Sequence, residues 1–255
     1  MTALITGASA GIGKELAVEF AKDKIDLILV ARREETMQTH ATELSTKYGI
    51  DVQVIAQNLA LPNSANLLYD KVKQLGSNID YLVNNAGFGD NGDFVDSDLQ
   101  KNENMINLNV LTLTKLTHLF GAEMKARKQG TILNIASTAS FQPGPLMSVY
   151  FATKHFVLAF SEGIAEELRP HNVFVCTLCP GPTQSEFGEV AGFGKLVPSD
   201  SNPFPLAHEV AKYGYAKMKK KKVVAIHGFM NALMATAVRF VPRSLARKIA
   251  HSKMT

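Results

Sequence analysis

Short apolar runs alternate with amphipathic, helix-like stretches along the whole chain, and this alternation constrains the fold more than any other feature. Runs at 3–5, 27–30, 52–56, 81–83, 131–135, 173–178 and 222–226 read as strands. Helices are predicted over 11–22, up to Tyr48, over 64–75, about 99–127 and about 148–168, with a further one ending near Lys221. A strand that returns to its sheet through a helix lies parallel to the strand before it. The strand cores are continuously apolar, as required when helices cover both faces. The pattern predicts an α/β fold: one doubly wound, parallel, seven-stranded sheet with helices on both faces, spanning residues 1–255. Ligands of such sheets sit at the carboxyl ends of the strands.

Composition narrows the function classes. A chain of 255 residues, 46% of them hydrophobic, suits one large domain. It contains no internal repeat, low-complexity tract or linker. The formal charge of +4 lies mostly in the last third and is too mild for a nucleic-acid partner. Cys176 and Cys179 are three apart on a predicted strand and so face opposite sides, which suits core packing rather than a metal or redox pair. The seven histidines show no ligand spacing, so no metal is expected. No apolar run is long enough to cross a bilayer. The first strand starts next to Met1, which leaves no room for a usual secretory leader, and a cytoplasmic location is expected.

Thr6-Gly-Ala-Ser-Ala-Gly-Ile-Gly13 connects the first strand to the first helix. Gly7 permits a tight turn, Gly11 a close backbone approach and Gly13 close packing of helix on strand. The amino end of the helix then faces a pyrophosphate. The spacing is Gly-x3-Gly-x-Gly and differs from the Gly-x-Gly-x-x-Gly dinucleotide fingerprint.

That loop resembles the short-chain dehydrogenase/reductase family, whose fold is Rossmann-like, and the resemblance extends over nearly the whole chain. Asn84-Asn-Ala-Gly87 follows the fourth strand, Pro180-Gly-Pro-Thr183 follows the sixth, and Asn109, Ser137, Tyr150 and Lys154 match the catalytic tetrad in order and spacing. The resemblance implies a nicotinamide cradle of Gly7, Ser9, Ala10, Gly11, Ile12 and Gly13, completed by Asn85, Ala86, Gly87, Tyr150, Lys154, Pro180, Gly181 and Thr183. Asn58 and Leu59 would lie beside the adenine, where the family usually carries aspartate at the first of these two positions. It also implies that Asn109 kinks its helix and holds a water in a proton relay through the lysine. Asn107 is the competing asparagine, but Asn109 has the family's flanking Leu and Val. A homodimer or homotetramer formed through the long helices is the family's usual assembly.

The residues after the second strand choose between the two nicotinamide nucleotides. An acidic side chain there would hold the ribose hydroxyls of NAD. This chain has Arg32 and Arg33, followed by Glu34, a residual candidate for NAD. Arginines at a helix amino end oppose the helix dipole, so their placement calls for an anion, and a ribose phosphate supplies one. NADP(H) is the expected cofactor.

Tyr150 and Lys154 stand four apart on a helix and share a face. A free phenol titrates near 10, and an adjacent ammonium is expected to lower that value. Tyr150 could then exchange a proton with a carbonyl or alcohol oxygen that Ser137 also hydrogen-bonds. The hydride itself belongs to the nicotinamide. The expected reaction is hydride transfer between NADP(H) and the carbonyl or secondary alcohol of a small, apolar substrate, whether a 3-oxoacyl group, a steroid-like ring or another ketone. The alternatives are an NADPH-binding sensor without turnover and a membrane-surface scaffold.

Ser137, Phe141, Met147, Tyr150 and Phe187 are expected to line the substrate pocket. Segment 184–205, rich in Gly, Pro and Phe, reads as a lid. In the tail, 229–255, Arg239, Arg243 and Arg247 recur every fourth residue, with apolar residues largely on another face and Pro242 expected to break the helix. Such a tail packs on its own domain or a second subunit, or else lies on a membrane surface.

Overall fold

The computed structural model describes residues 1–192 and 203–254. Strands β1 (Thr2–Thr6), β2 (Asp26–Ala31), β3 (Val52–Ala56), β4 (Tyr81–Asn84), β5 (Gly130–Ile135), β6 (Val173–Cys179) and β7 (Val224–Ile226) form a seven-stranded sheet in the order β3-β2-β1-β4-β5-β6-β7. Every pairing is parallel. The order reverses between β1 and β4, which opens a crevice at their carboxyl ends. β7 begins two residues later than the apolar run suggests. Lys221 turns into the left-handed region at φ 55°, and the Lys222 N–H closes the preceding helix on Lys217 O.

Alternate strand residues feed two apolar layers. Ala3, Ile5, Leu27 and Leu29 pack with Leu16 and Phe20 of α1 (Gly11–Lys22), Met37 of α2 (Glu34–Tyr48) and Tyr215 of α8 (Ala207–Lys219). On the opposite face Leu4, Ile28 and Leu82 pack with Leu68 of α3 (Ser64–Gln74), Phe120 of α5 (Leu113–Arg127) and Ala165 of α6 (Ser148–Leu168). One row of polar side chains crosses this second layer. Asn84 Nδ2 donates to Thr117 Oγ1 at 3.0 Å and to Asn134 Oδ1 at 2.9 Å, and Asn134 Nδ2 donates to Ser161 Oγ at 2.8 Å. All four residues are buried.

The stretch expected as one helix over 99–127 is interrupted. Helix α4 (Leu99–Ile106) passes into a π-helical turn, Asn107–Thr112, before α5 continues. Such bulges recur at functional sites. After β6 a short helix α7 (Phe187–Val190) follows. Residues 193–202 of the segment 184–205 lie outside the described residues. At the two ends of that segment Gln184 N donates to Pro205 O, and Gln184 Nε2 donates to Phe204 O. The tail forms α9 (Phe229–Ala237) and α10 (Arg243–Met254), with Pro242 between them as its missing N–H requires. Among the described residues no helix is long and apolar enough to cross a membrane.

Candidate active site

The glycine loop is stitched to the end of β4. Thr6 Oγ1 donates to Val83 O and accepts from the N–H groups of Asn85 and Ala86, both at 3.0 Å. Asn85 Nδ2 donates to Thr6 O at 2.9 Å and to Gly7 O at 3.2 Å. Gly7 has φ 67°, and a Cβ there would stand 2.9 Å from Ala86 Cα; Gly11 has φ 54°. Ala10 precedes α1 without offering a side-chain cap, so the first N–H groups of that helix have no side-chain partner at their N-cap. A pyrophosphate fits this cradle, because unpaired donors and the positive end of a helix dipole face the same crevice.

Arg32 and Arg33 are both exposed at the end of β2. Arg33 donates to Ser9 Oγ from Nε at 3.3 Å and from Nη2 at 3.1 Å, which places its guanidinium over the loop. Beyond β3, Asn58 is exposed and its Oδ1 accepts from Ala60 N at 3.1 Å. Leu59 is buried.

Asn109 lies in the π turn and is 1% exposed. Its Nδ2 donates to Phe88 O at 3.0 Å and to Thr153 Oγ1 at 3.1 Å, and its Oδ1 accepts from Phe88 N at 3.2 Å. It thereby clamps the segment after β4 to α6. Asn107, the competitor, is only partly buried. Ser137 follows β5. Its Oγ accepts from Ala139 N at 3.1 Å and donates to Pro180 O at 3.4 Å, and the hydroxyl lies near enough to the Tyr150 phenol to influence its titration. Lys154 Nζ donates to Ile135 O at 2.8 Å and lies 5.7 Å from the centre of the Tyr150 ring. Thr183 Oγ1 donates to Gly181 O at 2.9 Å in the turn after β6.

The electrostatics differ in sign from the expectation for Tyr150. Burial pushes the phenol up to about 12, and the Ser137 hydroxyl pulls the other way without offsetting it. Lys154 does not reverse this shift: burial brings the ammonium itself down to about 8, and its Nζ is turned to a backbone carbonyl. Desolvation penalises the charged form of both groups.

Met147 and Phe187 pack in one apolar cluster with Tyr150, Met105, Ala139 and Ala191. The Phe187 ring lies 5.2 Å from that of Tyr150. Phe141 does not join them. The turn Thr138–Phe141 carries its ring round to Leu113, Val157 and Leu158. Sequence reasoning missed Thr153 and Phe88, the partners of Asn109. Thr153 had a signal, a β-branched hydroxyl residue inside a helix, where it back-bonds to Tyr150 O at 2.7 Å. Phe88 takes part largely through its backbone, which no residue type announces.

Comparison with known proteins agrees with this geometry. A "Very-long-chain 3-oxoacyl-CoA reductase" of Anas platyrhynchos is 30% identical over 97% of this chain and 83% of its own length. A protein of the same description from Pyrenophora tritici-repentis is 33% identical over 77% of this chain, and the match spans only 59% of that relative. Among solved structures, a short-chain dehydrogenase from Sphingobium yanoikuyae in complex with NADPH superposes with a TM-score of 0.85 at 30% identity, covering 96% of this chain and 94% of the other. The family described as short chain dehydrogenase matches residues 1–192, from the glycine loop through the tyrosine helix and on past β6. The chain belongs to the short-chain dehydrogenase family.

Proposed function

We propose that the protein is an NADP(H)-dependent oxidoreductase that moves a hydride between the nicotinamide and the carbonyl or secondary-alcohol carbon of an apolar substrate. The observation that carries this reading is the convergence of Ser137, Tyr150 and Lys154 at one end of a crevice whose other end presents Arg33. The bound nicotinamide supplies or accepts the hydride. The amino end of α1 holds the pyrophosphate, and Arg32 and Arg33 hold the ribose phosphate.

Tyr150 is the proton donor. A phenol held near 12 stays protonated at neutral pH, the state needed to protonate a carbonyl oxygen during reduction. Ser137 offers its hydroxyl to the same oxygen. Lys154, near 8, is cationic at neutral pH and offsets the charge left on the phenolate. Asn109 fixes the distance between the β4 loop and α6, and therefore the position of Tyr150. Met105, Met147 and Phe187 give the pocket apolar walls. Those walls and the relatives' names make a 3-oxoacyl thioester the first substrate to try.

NADPH consumption over a panel of 3-oxoacyl thioesters, ketones and aldehydes tests the reading. Tyr150→Phe is expected to lose 10²–10⁴-fold in turnover while still binding NADPH. Full turnover in that variant refutes the assignment, and no consumption with any substrate favours the sensor alternative.

The tail supports a second reading, contact with a membrane surface. Phe229, Met230, Leu233, Phe240, Leu245 and Ile249 are exposed beside Arg239, Arg243, Arg247 and Lys248. Apolar side chains flanked by cations suit an anionic interface. Homo-oligomers would form along α4–α6, where Leu99, Ile106, Leu111 and Phe156 are exposed.

A further inference from the structure

One contact in the crevice is not used by the proposed reaction. Glu186, 153 positions along the chain from Arg33, accepts both arms of its guanidinium: Nη1 donates to Oε1 at 3.0 Å and Nη2 to Oε2 at 2.8 Å. Together with the two contacts to Ser9, this fills the fork that a ribose phosphate would engage. The neighbours of Glu186 cover the rest of the crevice. Ser185 Cβ lies 3.2 Å from where a Cβ on Gly11 would stand, and Phe187 packs on Tyr150. Three consecutive residues thus touch the adenosine end, the pyrophosphate loop and the phenol.

We propose that Glu186 is an internal competitor for the 2′-phosphate of NADP(H), occupying Arg33 until the phosphate arrives, and that its release loosens Phe187 from Tyr150. The inference rests on the assignment of Arg33 to the ribose phosphate. Glu186 holds the Nη1/Nη2 edge of the guanidinium and Ser9 Oγ the Nε/Nη2 edge, so no edge is left for a phosphate to engage bidentately until one of them leaves. The pair is half exposed, with side-chain exposures of 46% and 54%, and such pairs contribute little, so a phosphate carrying about −1.5 to −2 charges displaces the carboxylate. The neutral ribose hydroxyls of NAD(H) bring no charge to do so. Glu186 therefore lowers the affinity of the protein for NADP(H) and reserves the movement of Phe187 for the phosphorylated nucleotide.

Adenosine 2′,5′-bisphosphate and 5′-AMP differ only in the 2′-phosphate and carry no nicotinamide. In calorimetric titration, Glu186→Gln is expected to bind the bisphosphate about two- to fivefold more tightly than the unaltered chain and 5′-AMP equally. Arg33→Met is expected to bind the bisphosphate about tenfold more weakly, and adding Glu186→Gln to it should change nothing further. An unchanged or weaker affinity in Glu186→Gln, with Arg33→Met still impaired, overturns the competition and leaves the NADP(H) reading standing. No loss in Arg33→Met overturns the NADP(H) reading itself. The chain has no tryptophan, so Phe187→Trp introduces a lone reporter. Its emission should shift with the bisphosphate and not with 5′-AMP, and should already be shifted without ligand when Glu186→Gln is added. A reporter unmoved by the bisphosphate overturns the coupling.

Discussion

Asn109→Ala separates a structural clamp from a residue that only holds solvent. The side chain is 1% exposed and makes three hydrogen bonds, two to the backbone of Phe88 and one to Thr153. Alanine leaves the Phe88 N–H and C=O without that partner, at about 1–3 kcal/mol each. Thr153 keeps its bond to Tyr150 O and is not orphaned. A water entering the vacated polar space recovers part of the loss, which gives about 2–4 kcal/mol overall. At about 2–4 °C per kcal/mol for a chain of this size, the midpoint of thermal unfolding falls by about 4–16 °C. Urea denaturation checks the free energy directly, provided the slope m stays constant. Asn107→Ala in the same turn is the control and should change stability by less than about 0.5 kcal/mol. A loss under about 1 kcal/mol in Asn109→Ala would refute the clamp.

Gly13→Ala places a Cβ against Gly7 O and Asn85 Nδ2, where the backbone cannot give way; it should cost about 1–3 kcal/mol in thermal unfolding and weaken nucleotide binding in calorimetry. Lys154, lowered by burial to about 8, is charged below that pH and neutral above it, so kcat/KM for carbonyl reduction should fall as pH rises through about 8. A flat profile from about pH 6 to about 9 would remove Lys154 from support of the phenolate. Flotation with anionic vesicles should carry the full chain and leave behind a chain ending at Gly228, and equal behaviour of the two would end the membrane reading.

The layered architecture was legible because strands buried on both faces are spelled as unbroken apolar runs, and the glycine loop because its three glycines meet backbone or strained φ values. The π turn was not legible as such. Leu99 to Arg127 has ordinary helical periodicity, and only Asn109, a poor interior helix residue, marked the place. The direction of the Tyr150 shift was missed because four-residue spacing reports proximity to Lys154 but says nothing of desolvation, which dominates both groups. Phe141 was misplaced because a single 3₁₀ turn changes which way a ring points. The Arg33–Glu186 pair joins residues on different elements and leaves no local trace in either.

The polar row through Thr117, Asn84, Asn134 and Ser161 has a consequence for how faithfully this sheet assembles. Any shift of β4 along β5 would strand amides among aliphatic side chains, so mispaired arrangements carry a penalty that an all-leucine layer would not impose. A variant with the four residues exchanged for aliphatics of similar volume could match the melting temperature of the parent and still populate several pairings of its central strands. On this argument uniqueness of the assembled sheet and its resistance to heat are distinct properties, and the four side chains are expected to act chiefly on the first.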